Sequence, residues 1–528
     1  MNPAYYAKIN AVSKAQNDFC ATLWKIGAVW FILNLNKYEV ANMRKAGILM
    51  PVASLPGRHG SGTFGAEAYH FVDLAKRAGF SIWQILPLNP LGYGNSPYQP
   101  YSSYAMDDMY ISLDILYKQG LISKAPSFNK NADAIDYERV RKFREPYLRE
   151  AYANFKPDLN YSTFSYQEWV KNFAIFMALK KKNGMRSWLE WEDPAEKNQP
   201  VDGKLDLKKY EDEILYEVFK QYILYLQWKD LKQYANDLGI EIMGDIPFYV
   251  GIDSADVWAS RKNFLLDDDG RPIFIAGVPP DYFSATGQRW GNPIYDWDYM
   301  EEDDFSFWVE RISYTQRLFD IIRIDHFRAF DTYWKINADC PTAVDGVWME
   351  APGYKLFDTL LLKTEDLKLV AEDLGDLRYE VHVLRDHYDF RGMRVIQFAF
   401  LPEESDVHDK PHQLVYTGTH DNDTLFAWYR EKPQWEKRKL RRYLRSEGFN
   451  THSFVNDVIN YALTRQADMV VIPLSDWLHK GHEARLNTPG TVGAPNWMWR
   501  MKSLSPFEAK TEQIHAALEN AGRIETEE

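Results

Sequence analysis

The sequence predicts a (β/α)8 barrel, and three patterns in the chain indicate it. Short apolar runs of strand length recur eight times after Met43, and each closes in polar residues or a turn. Apolar residues at helical spacing lie between several of these runs. The runs are nearly continuous in apolar residues rather than alternating, as expected for parallel strands covered on both faces. Eight alternations of strand and helix are typical of a closed barrel, although the periodicity alone also fits a doubly wound sheet.

The eight predicted strands are spread over more than four hundred residues. They are, in chain order, residues 47–55, 80–88, 240–248, 321–327, 367–373, 393–400, 414–421 and 469–476. Helical spacing of apolar residues is clearest at 68–75, 224–238 and 454–462, just before the second, third and eighth runs. Gly79 and Gly239 follow the first two of these stretches as helix stop signals.

Two connections are far too long for a single crossover helix. Between the second and third runs, residues 105–235 are predicted to form an inserted, mostly helical subdomain of the barrel. Between the third and fourth runs, residues 251–299 are dense in glycine, proline and aromatic side chains. An ordered loop of that length is usually functional, so we expect this region to contact substrate.

Residues 1–42 form an atypical extension in front of the domain predicted for residues 43–528. The apolar run 19–33 is interrupted by Lys25 and is shorter than the ~20 residues that span a bilayer. No small-residue cleavage site follows it, which argues against a signal peptide. We expect the extension to be an extra segment, as a misassigned start codon would produce, whose deletion leaves folding and activity intact.

Composition excludes some classes of protein. The net charge of −13 argues against a nucleic-acid partner, because phosphate binding requires clustered lysine and arginine. Two cysteines, Cys20 and Cys340, build neither a disulfide framework nor a thiolate metal site, which favours the cytoplasm. The 18 tryptophans, 33 tyrosines and 29 phenylalanines fit either core packing or a groove in which aromatic rings pack against sugars.

Four carboxylates fall at the ends of separate predicted strands. Asp245, Asp325, Glu372 and Asp421 lie on the third, fourth, fifth and seventh runs. In barrels of this kind the active site is built from the carboxyl ends of the strands. Any one of these residues alone could be a helix cap or a structural ion pair. Four of them at one end of a barrel favour a common site.

The expected pKa shifts of these carboxylates indicate the type of reaction. With a period of two, Arg323 and Asp325 point to the same side, so the guanidinium should lower the pKa of Asp325. Glu372, with Asp325 and Asp421 converging on it, should have a raised pKa, as a general acid requires. Two carboxyl groups tuned in opposite directions are the machinery of glycosidic bond chemistry.

No metal or organic cofactor is predicted. His420 stands beside two aspartates in THDND, but no second histidine lies at the spacing that a zinc site requires. The DDDG stretch at 267–270 lacks the remaining ligands of an EF-hand calcium loop. Hydrogen bonding to a sugar hydroxyl is the better role for His420.

From about Lys45 to Met501 the sequence resembles the 4-α-glucanotransferases, the amylomaltases or disproportionating enzymes related to the α-amylases. The resemblance lies in long motifs: GILMPVASLPG, GNSPYQPYSSYA, GDIPFYV, IRIDHFRAF, VAEDLG, GMRVIQFAF, TGTHDNDT and EARLNTPGTVGAPNWMWR. The stretches PPDYFS and GQRWGNP favour this family over the hydrolytic α-amylases.

The resemblance implies a role for each matched residue. Asp325 matches the catalytic nucleophile, oriented by Arg323, and Glu372 matches the general acid/base. Asp421 matches the carboxylate that distorts the bound sugar and stabilises the transition state. The other matched residues contact the glucan: Tyr98, Asp245 and His420 around the cleaved bond, and Tyr282, Gln288, Trp290 and Asn292 in a glucan-binding lid.

The implied activity is transfer of α-1,4-glucan segments with retention of configuration. The donor is a maltooligosaccharide, amylose, or a dextrin derived from glycogen or starch, and the acceptor is the 4-hydroxyl of another glucan or of glucose. No nucleic acid, membrane or cofactor is implied. The main alternative is a retaining α-glucan hydrolase with the same carboxylates, and another is a catalytically silent glucan-binding protein.

Overall fold

The computed structural model describes residues 44–128, 132–280, 284–375, 377–398, 400–401 and 409–524. The predicted extension 1–42 and the predicted lid residue Tyr282 lie outside the described residues. The strands are β1 (Lys45–Leu49), β2 (Ile82–Gln84), β3 (Glu241–Ile246), β4 (Phe274–Val278), β5 (Gln288–Pro293), β6 (Ile321–Ile324), β7 (Thr332–Asn337), β8 (Gly346–Glu350), β9 (Leu369–Ala371), β10 (Gly392–Val395), β11 (Gln413–Tyr416) and β12 (Met469–Pro473).

The α-helices of the described residues lie between and after these strands. They are α1 (Ala66–Arg77), α2 (Leu113–Lys118), α3 (Tyr137–Asn154), α4 (Leu159–Ser165), α5 (Glu168–Lys182), α6 (Pro194–Lys197), α7 (Gln199–Asp202), α8 (Glu211–Asp237), α9 (Ala255–Ala259), α10 (Trp297–Glu302), α11 (Ser306–Leu318), α12 (Gly353–Lys363), α13 (Tyr379–His387), α14 (Leu425–Glu431), α15 (Gln434–Ser446), α16 (Phe454–Thr464), α17 (Leu474–Trp477), α18 (Ser505–Glu508) and α19 (Thr511–Asn520).

Eight parallel strands form the barrel. Their order around the sheet is β10, β11, β12, β1, β2, β3, β6 and β9, and every neighbouring pair is parallel. A parallel bridge between Val370 and Arg391 joins the two ends of this order, and the N–H of Ala371 donates to the Arg391 carbonyl at 2.8 Å. The predicted (β/α)8 barrel is confirmed.

The strands are shorter than the apolar runs that predict them. The run 80–88 contains only the three residues of β2, and the run 321–327 contains only the four of β6. In each case the run continues as a loop at the carboxyl end of the strand. Polar residues accumulate there because the barrel mouth lets them meet water or a ligand.

Helix α1 forms for the reason its spacing predicts. Ala68, Phe71, Val72 and Ala75 lie on one face and are buried against the barrel. Gly79 follows with a φ of +89°, a conformation that favours glycine, and it turns the chain into β2. The amphipathic face and the glycine stop together fix this crossover.

Helices α2 to α8 fill the long interval between β2 and β3, as predicted. The last of them, α8, runs to Asp237 and packs Trp228 edge-on against Phe319, so its end belongs to the barrel wall. Boundaries of a separate subdomain at 105–235 therefore stay a prediction. Although α8 has 27 residues, none of the helices in the described ranges has the length and apolar character to cross a bilayer.

A second, antiparallel sheet stands beside the barrel, and the sequence analysis does not predict it. Its order is β5, β4, β7 and β8, so the region 251–299, expected as a loop, supplies two of its strands. Its glycines and prolines predict a loop, and strand pairing with β7 overrides that local preference. All six residues of β5 belong to the GQRWGNP stretch, so the sheet holds this stretch by strand pairing.

Candidate active site

Three of the predicted carboxylates meet at the carboxyl ends of adjacent barrel strands. Asp245 is on β3, Asp325 directly follows β6, and Glu372 directly follows β9. The ladder continues past the strands, because the N–H of Asp325 donates to Ile246 O at 3.0 Å and that of Glu372 donates to Ile324 O at 3.1 Å. In this register Asp325 lies opposite Glu372, and Asp245 lies opposite Arg323, one side-chain layer below them.

Arg323 is the common partner of these three carboxylates. Its Nη1 lies 2.6 Å from both oxygens of Asp245 and 3.2 Å from Oδ1 of Asp325, and its Nη2 lies 3.3 Å from Oε1 of Glu372. The side chain is buried, with 2% of it exposed. Burial disfavours its charge, but Asp245, Glu372 and Asp325 outweigh this and raise the pKa of Arg323 well above its usual value. One guanidinium thus organises the whole cluster.

Asp325 and Glu372 form a hydrogen-bonded pair that is tuned in opposite directions. Burial and the neighbouring charge of Glu372 raise the pKa of Asp325 well above its usual range, despite the Arg323 guanidinium. Burial also favours the neutral form of Glu372, but Arg323, the hydrogen bond with Asp325 and the N–H of His326 lower its pKa to about 2. That N–H donates to Oε2 of Glu372 at 2.7 Å. The surroundings thus favour the protonated form of Asp325 and the ionised form of Glu372.

This tuning is opposite to the one expected from the sequence. Arg323 was expected to keep the pKa of Asp325 low, but its shortest contacts are with Asp245 and it divides the rest between the other two carboxylates. Glu372 was expected to have a raised pKa. It instead accepts an additional hydrogen bond from the backbone N–H of His326, which favours its ionised form.

Tyr98 and His420 extend the cluster along the barrel mouth. The Tyr98 hydroxyl donates to Oδ2 of Asp245 at 2.9 Å and lies 3.4 Å from Nδ1 of His420. The two rings stack with centroids 5.0 Å apart and an interplanar angle of 16°. Trp497 packs on both, with its ring 5.7 Å from Tyr98 and 5.9 Å from His420. The predicted sugar-contacting residues therefore form one aromatic wall beside the carboxylates.

Asp421 lies on the other side of His420. Its Oδ2 is 3.5 Å from Nε2 of His420, and its Oδ1 accepts a hydrogen bond of 2.6 Å from Nδ2 of Asn487. The N–H of Asn487 also donates to the carbonyl of His420 at 3.1 Å. Asn487 thus fixes both residues at once. About a third of the Asp421 side chain is exposed, so its carboxylate faces the open mouth.

The predicted lid residues that the structure describes, Gln288, Trp290 and Asn292, lie on β5. Trp290 meets the ring of His326 edge-on at 4.9 Å, which places it next to the residue that follows Asp325, and its Nε1 donates to Gln288 at 3.2 Å. Asn292 is buried, and its amide is bonded to Gln99 and to the carbonyl of Val250, both at 2.9 Å. Trp290 is therefore placed to meet a ligand, whereas Asn292 supports the base of the loop.

Three residues of the site were missed as functional residues. Asn487 and Trp497 lie in the motif EARLNTPGTVGAPNWMWR, which the sequence analysis singles out without assigning their roles. His326 had no predicted role, yet its N–H holds Glu372. Its backbone has a φ of +53°, which aims that N–H back toward the strand end, and burial lowers the pKa of the imidazole to about 4.

The arrangement has the features of an enzyme that acts on glycosidic bonds: two carboxyl groups tuned apart, a third beside them, and an aromatic wall. Comparison with known proteins gives the family. The 4-alpha-glucanotransferase family model matches residues 50–505. The chain belongs to the 4-alpha-glucanotransferase family.

Individual relatives agree with this assignment. The chain is 41% identical over 480 residues to the 4-alpha-glucanotransferase of Thermus thermophilus, covering 87% of this chain and 95% of that protein. It is 38% identical over 510 residues to the chloroplastic/amyloplastic 4-alpha-glucanotransferase of Arabidopsis thaliana, covering 91% and 86%. Amylomaltase from Streptococcus agalactiae, solved in complex with acarbose, superposes with a TM-score of 0.83 at 38% identity, covering 90% of this chain and 98% of that one.

Proposed function

We propose that Asp325 is the nucleophile and Glu372 the general acid/base of a retaining 4-α-glucanotransferase reaction. The observation that carries this proposal is that both carboxyl groups converge on Arg323, Asp325 at 3.2 Å and Glu372 at 3.3 Å. Retaining enzymes hold their two carboxyls about 5–5.5 Å apart and inverting ones 6.5–9.5 Å apart. Two carboxyls that contact the two Nη atoms of a single guanidinium favour the shorter separation of the first class.

The reaction proceeds in two displacements. As the donor glucan enters between the pair, the proton passes from Asp325 to Glu372 along their hydrogen bond. Glu372 protonates the leaving glycosidic oxygen while Asp325 attacks the anomeric carbon, which gives a glycosyl-enzyme ester and a free 4-hydroxyl on the leaving glucan. Glu372, now a carboxylate, removes the proton from the 4-hydroxyl of an acceptor. That oxygen attacks the anomeric carbon, the ester breaks, and the α-1,4 bond is remade.

The surrounding residues position the sugar. Asp421 stabilises the positive charge that develops on the sugar ring, since its carboxylate faces the mouth with one oxygen held by Asn487. Tyr98 and His420 provide a ring surface and hydrogen-bonding atoms next to Asp245. Arg323 holds Asp245, Asp325 and Glu372 together.

Transfer must compete with hydrolysis of the glycosyl-enzyme ester. We propose that Trp290, and the predicted lid residues Gln288 and Tyr282, exclude water and align the acceptor, which raises its effective molarity. The donor is an α-1,4-glucan and the acceptor a glucan or glucose, since the Streptococcus agalactiae relative is an amylomaltase solved with acarbose. The two cysteines favour a cytoplasmic site of action.

Incubation with maltotriose tests the activity. A transferase converts it to glucose and a ladder of longer maltooligosaccharides, whereas a hydrolase gives only shorter products. Absence of any product longer than maltotriose would overturn the transfer reaction. Asp325→Asn tests the nucleophile: turnover should fall by at least about 10³-fold while maltooligosaccharide binding, measured by calorimetry, is kept. Unchanged turnover would remove Asp325 from this role.

A further inference from the structure

The reaction above does not use a buried aspartate, Asp476, that lies at the carboxyl end of a barrel strand. Asp476 lies in α17, directly after barrel strand β12, and only 1% of it is exposed. Its Oδ2 accepts a hydrogen bond of 2.7 Å from the hydroxyl of Thr417, and its Oδ1 accepts one of 2.7 Å from the N–H of Leu425. The two oxygens of the Asp476 carboxylate therefore accept hydrogen bonds from two different points of the chain.

These two points are the ends of the loop that carries His420 and Asp421. We call residues 417–425 the acid loop: Thr417 directly follows β11, and Leu425 is the first residue of α14. Because β11 and β12 are parallel neighbours, the acid loop and Asp476 lie at the same end of the barrel. A single carboxylate thus ties both ends of the acid loop to the adjacent strand.

Packing alone does not fix the acid loop. A cavity of about 20 Å³ separates it from the end of β12 and is lined by Thr419, Asn422 and Asp423 on one side and Pro473 and Asp476 on the other. Such a gap removes part of the van der Waals contact that would otherwise hold the loop. The hydrogen bonds from Thr417 and Leu425 to Asp476 therefore add to packing in fixing the position of the loop.

The position of Asp476 is costly for the carboxylate itself. Burial, with the nearby charge of Asp423, raises its pKa to about 6 even though Leu425 and Thr417 donate to it. Because burial disfavours the ionised form of Asp476, packing does not explain why an aspartate stands at this position. Its two hydrogen bonds point to a role in holding the loop.

We propose that Asp476 is a positioning residue for glucan transfer: by tying Thr417 to Leu425 it holds Asp421 and His420 against the bound sugar. This inference rests on the proposed role of Asp421. Displacing catalytic groups by about 1 Å can cost about 100-fold in rate, so the effect should appear in kcat more than in KM.

The test compares Asp476→Ala, Asp476→Asn and Thr417→Val in maltotriose disproportionation. Asp476→Ala should lower kcat about 10- to 100-fold and change KM by less than about 3-fold. Asp476→Asn keeps an acceptor for the Leu425 N–H and a polar partner for Thr417, so it should restore kcat to within about 5-fold of the parent. Thr417→Val, which frees only one end of the acid loop, should fall between the two.

Asp457→Ala is the matched control. Asp457 is also a fully buried aspartate after a loop, accepting from the N–H of Thr451 at 2.8 Å and from Arg441 at 3.1 Å, but it lies in α16. Asp457→Ala should lower Tm without a selective loss of kcat. Equal kcat losses in Asp457→Ala and Asp476→Ala, or an unchanged kcat in Asp476→Ala, would overturn the inference.

Two further outcomes are decisive. If Asp476→Ala does not fold, Thr417→Val carries the test, and a change in Tm with no change in kcat overturns the positioning role. Asp421→Asn separates the inference from the function on which it rests. An active Asp421→Asn refutes the proposed role of Asp421, whereas an inactive one beside a fully active Asp476→Ala refutes only the positioning role.

Discussion

Replacing Arg323 by methionine should destabilise the protein in a way that depends on pH. The buried guanidinium serves Asp245, Asp325 and Glu372 at 2.6, 3.2 and 3.3 Å. At an effective dielectric constant of 20, a contact of about 3 Å with an ionised carboxylate corresponds to about 5 kcal/mol of attraction, much of which is offset by desolvation. Removing one partner of a buried ion pair costs about 3–5 kcal/mol, so we expect a loss of that size at pH 7.

The loss should shrink as the pH falls. In the parent, Arg323 helps to hold the pKa of Glu372 at about 2, below the 4.5 of the unfolded chain, so this stabilisation is complete above 4.5 and is lost as the pH falls through 2. Without Arg323, burial makes the native variant retain at least one additional proton. One extra proton in the native state of Arg323→Met changes the difference in unfolding free energy between parent and variant by about 1.4 kcal/mol per pH unit. Between pH 7 and pH 4.5 the difference should therefore fall by about 3 kcal/mol.

Urea unfolding followed by far-UV circular dichroism at pH 7 and pH 4.5 measures both quantities. Arg311→Met is the control, because Arg311 is equally buried but donates to the carbonyls of Pro247 and Phe248. Arg311→Met should lower the free energy of unfolding by the same amount at both pH values. Two results would refute the description of Arg323 as the charge partner of the cluster. One is a decrease in unfolding free energy below 1 kcal/mol at pH 7 for Arg323→Met, and the other is an equal decrease at both pH values.

Two further predictions concern the walls of the site. Tyr98→Phe keeps the ring stacked on His420 but removes the 2.9 Å hydrogen bond to Asp245, so kcat/KM for maltotriose should fall about 10-fold with little change in Tm; an unchanged kcat/KM would contradict a role for the hydroxyl. Trp290→Ala removes the ring next to His326 and opens the site to water, so the ratio of glucose released by hydrolysis to transfer product should rise several-fold, as product chromatography would show; a constant ratio would argue against a water-excluding role.

The barrel and the location of its acidic residues could be predicted from the sequence, because each depends on local sequence patterns. Apolar runs of strand length specify buried parallel strands, and the first polar residue after each run marks the mouth. Asp325 and Glu372 were found in this way. The second sheet was missed because strands β4 and β5 lie among glycines and prolines that indicate a loop. Asn487 was missed because its partner, Asp421, is 66 residues away in the chain.

The charge state of the cluster is a property that local sequence could not provide. Arg323 is two residues from Asp325, and that neighbourhood alone predicts a low pKa for the aspartate. The closest partner, Asp245, comes from a strand 78 residues earlier and takes the shortest contacts of the guanidinium. The N–H that stabilises Glu372 belongs to His326, in a left-handed conformation that no pattern indicates. Long-range partners therefore decide which carboxyl keeps the proton.

Glu372→Gln tests that distribution of charge directly. The charge of Glu372 is, after burial, the largest cause of the raised pKa of Asp325, so removing it should lower that pKa. An α-maltosyl fluoride donor needs no acid catalyst for its leaving group, and azide serves as an acceptor that needs no base. With both, turnover of Glu372→Gln depends on ionised Asp325 alone, and the acid limb of kcat/KM reports its pKa in the free enzyme. This limb should lie at lower pH in Glu372→Gln than in the parent assayed with the same donor. Acid limbs at the same pH would mean that burial alone sets the pKa of Asp325, and that the resting proton does not belong to the pair.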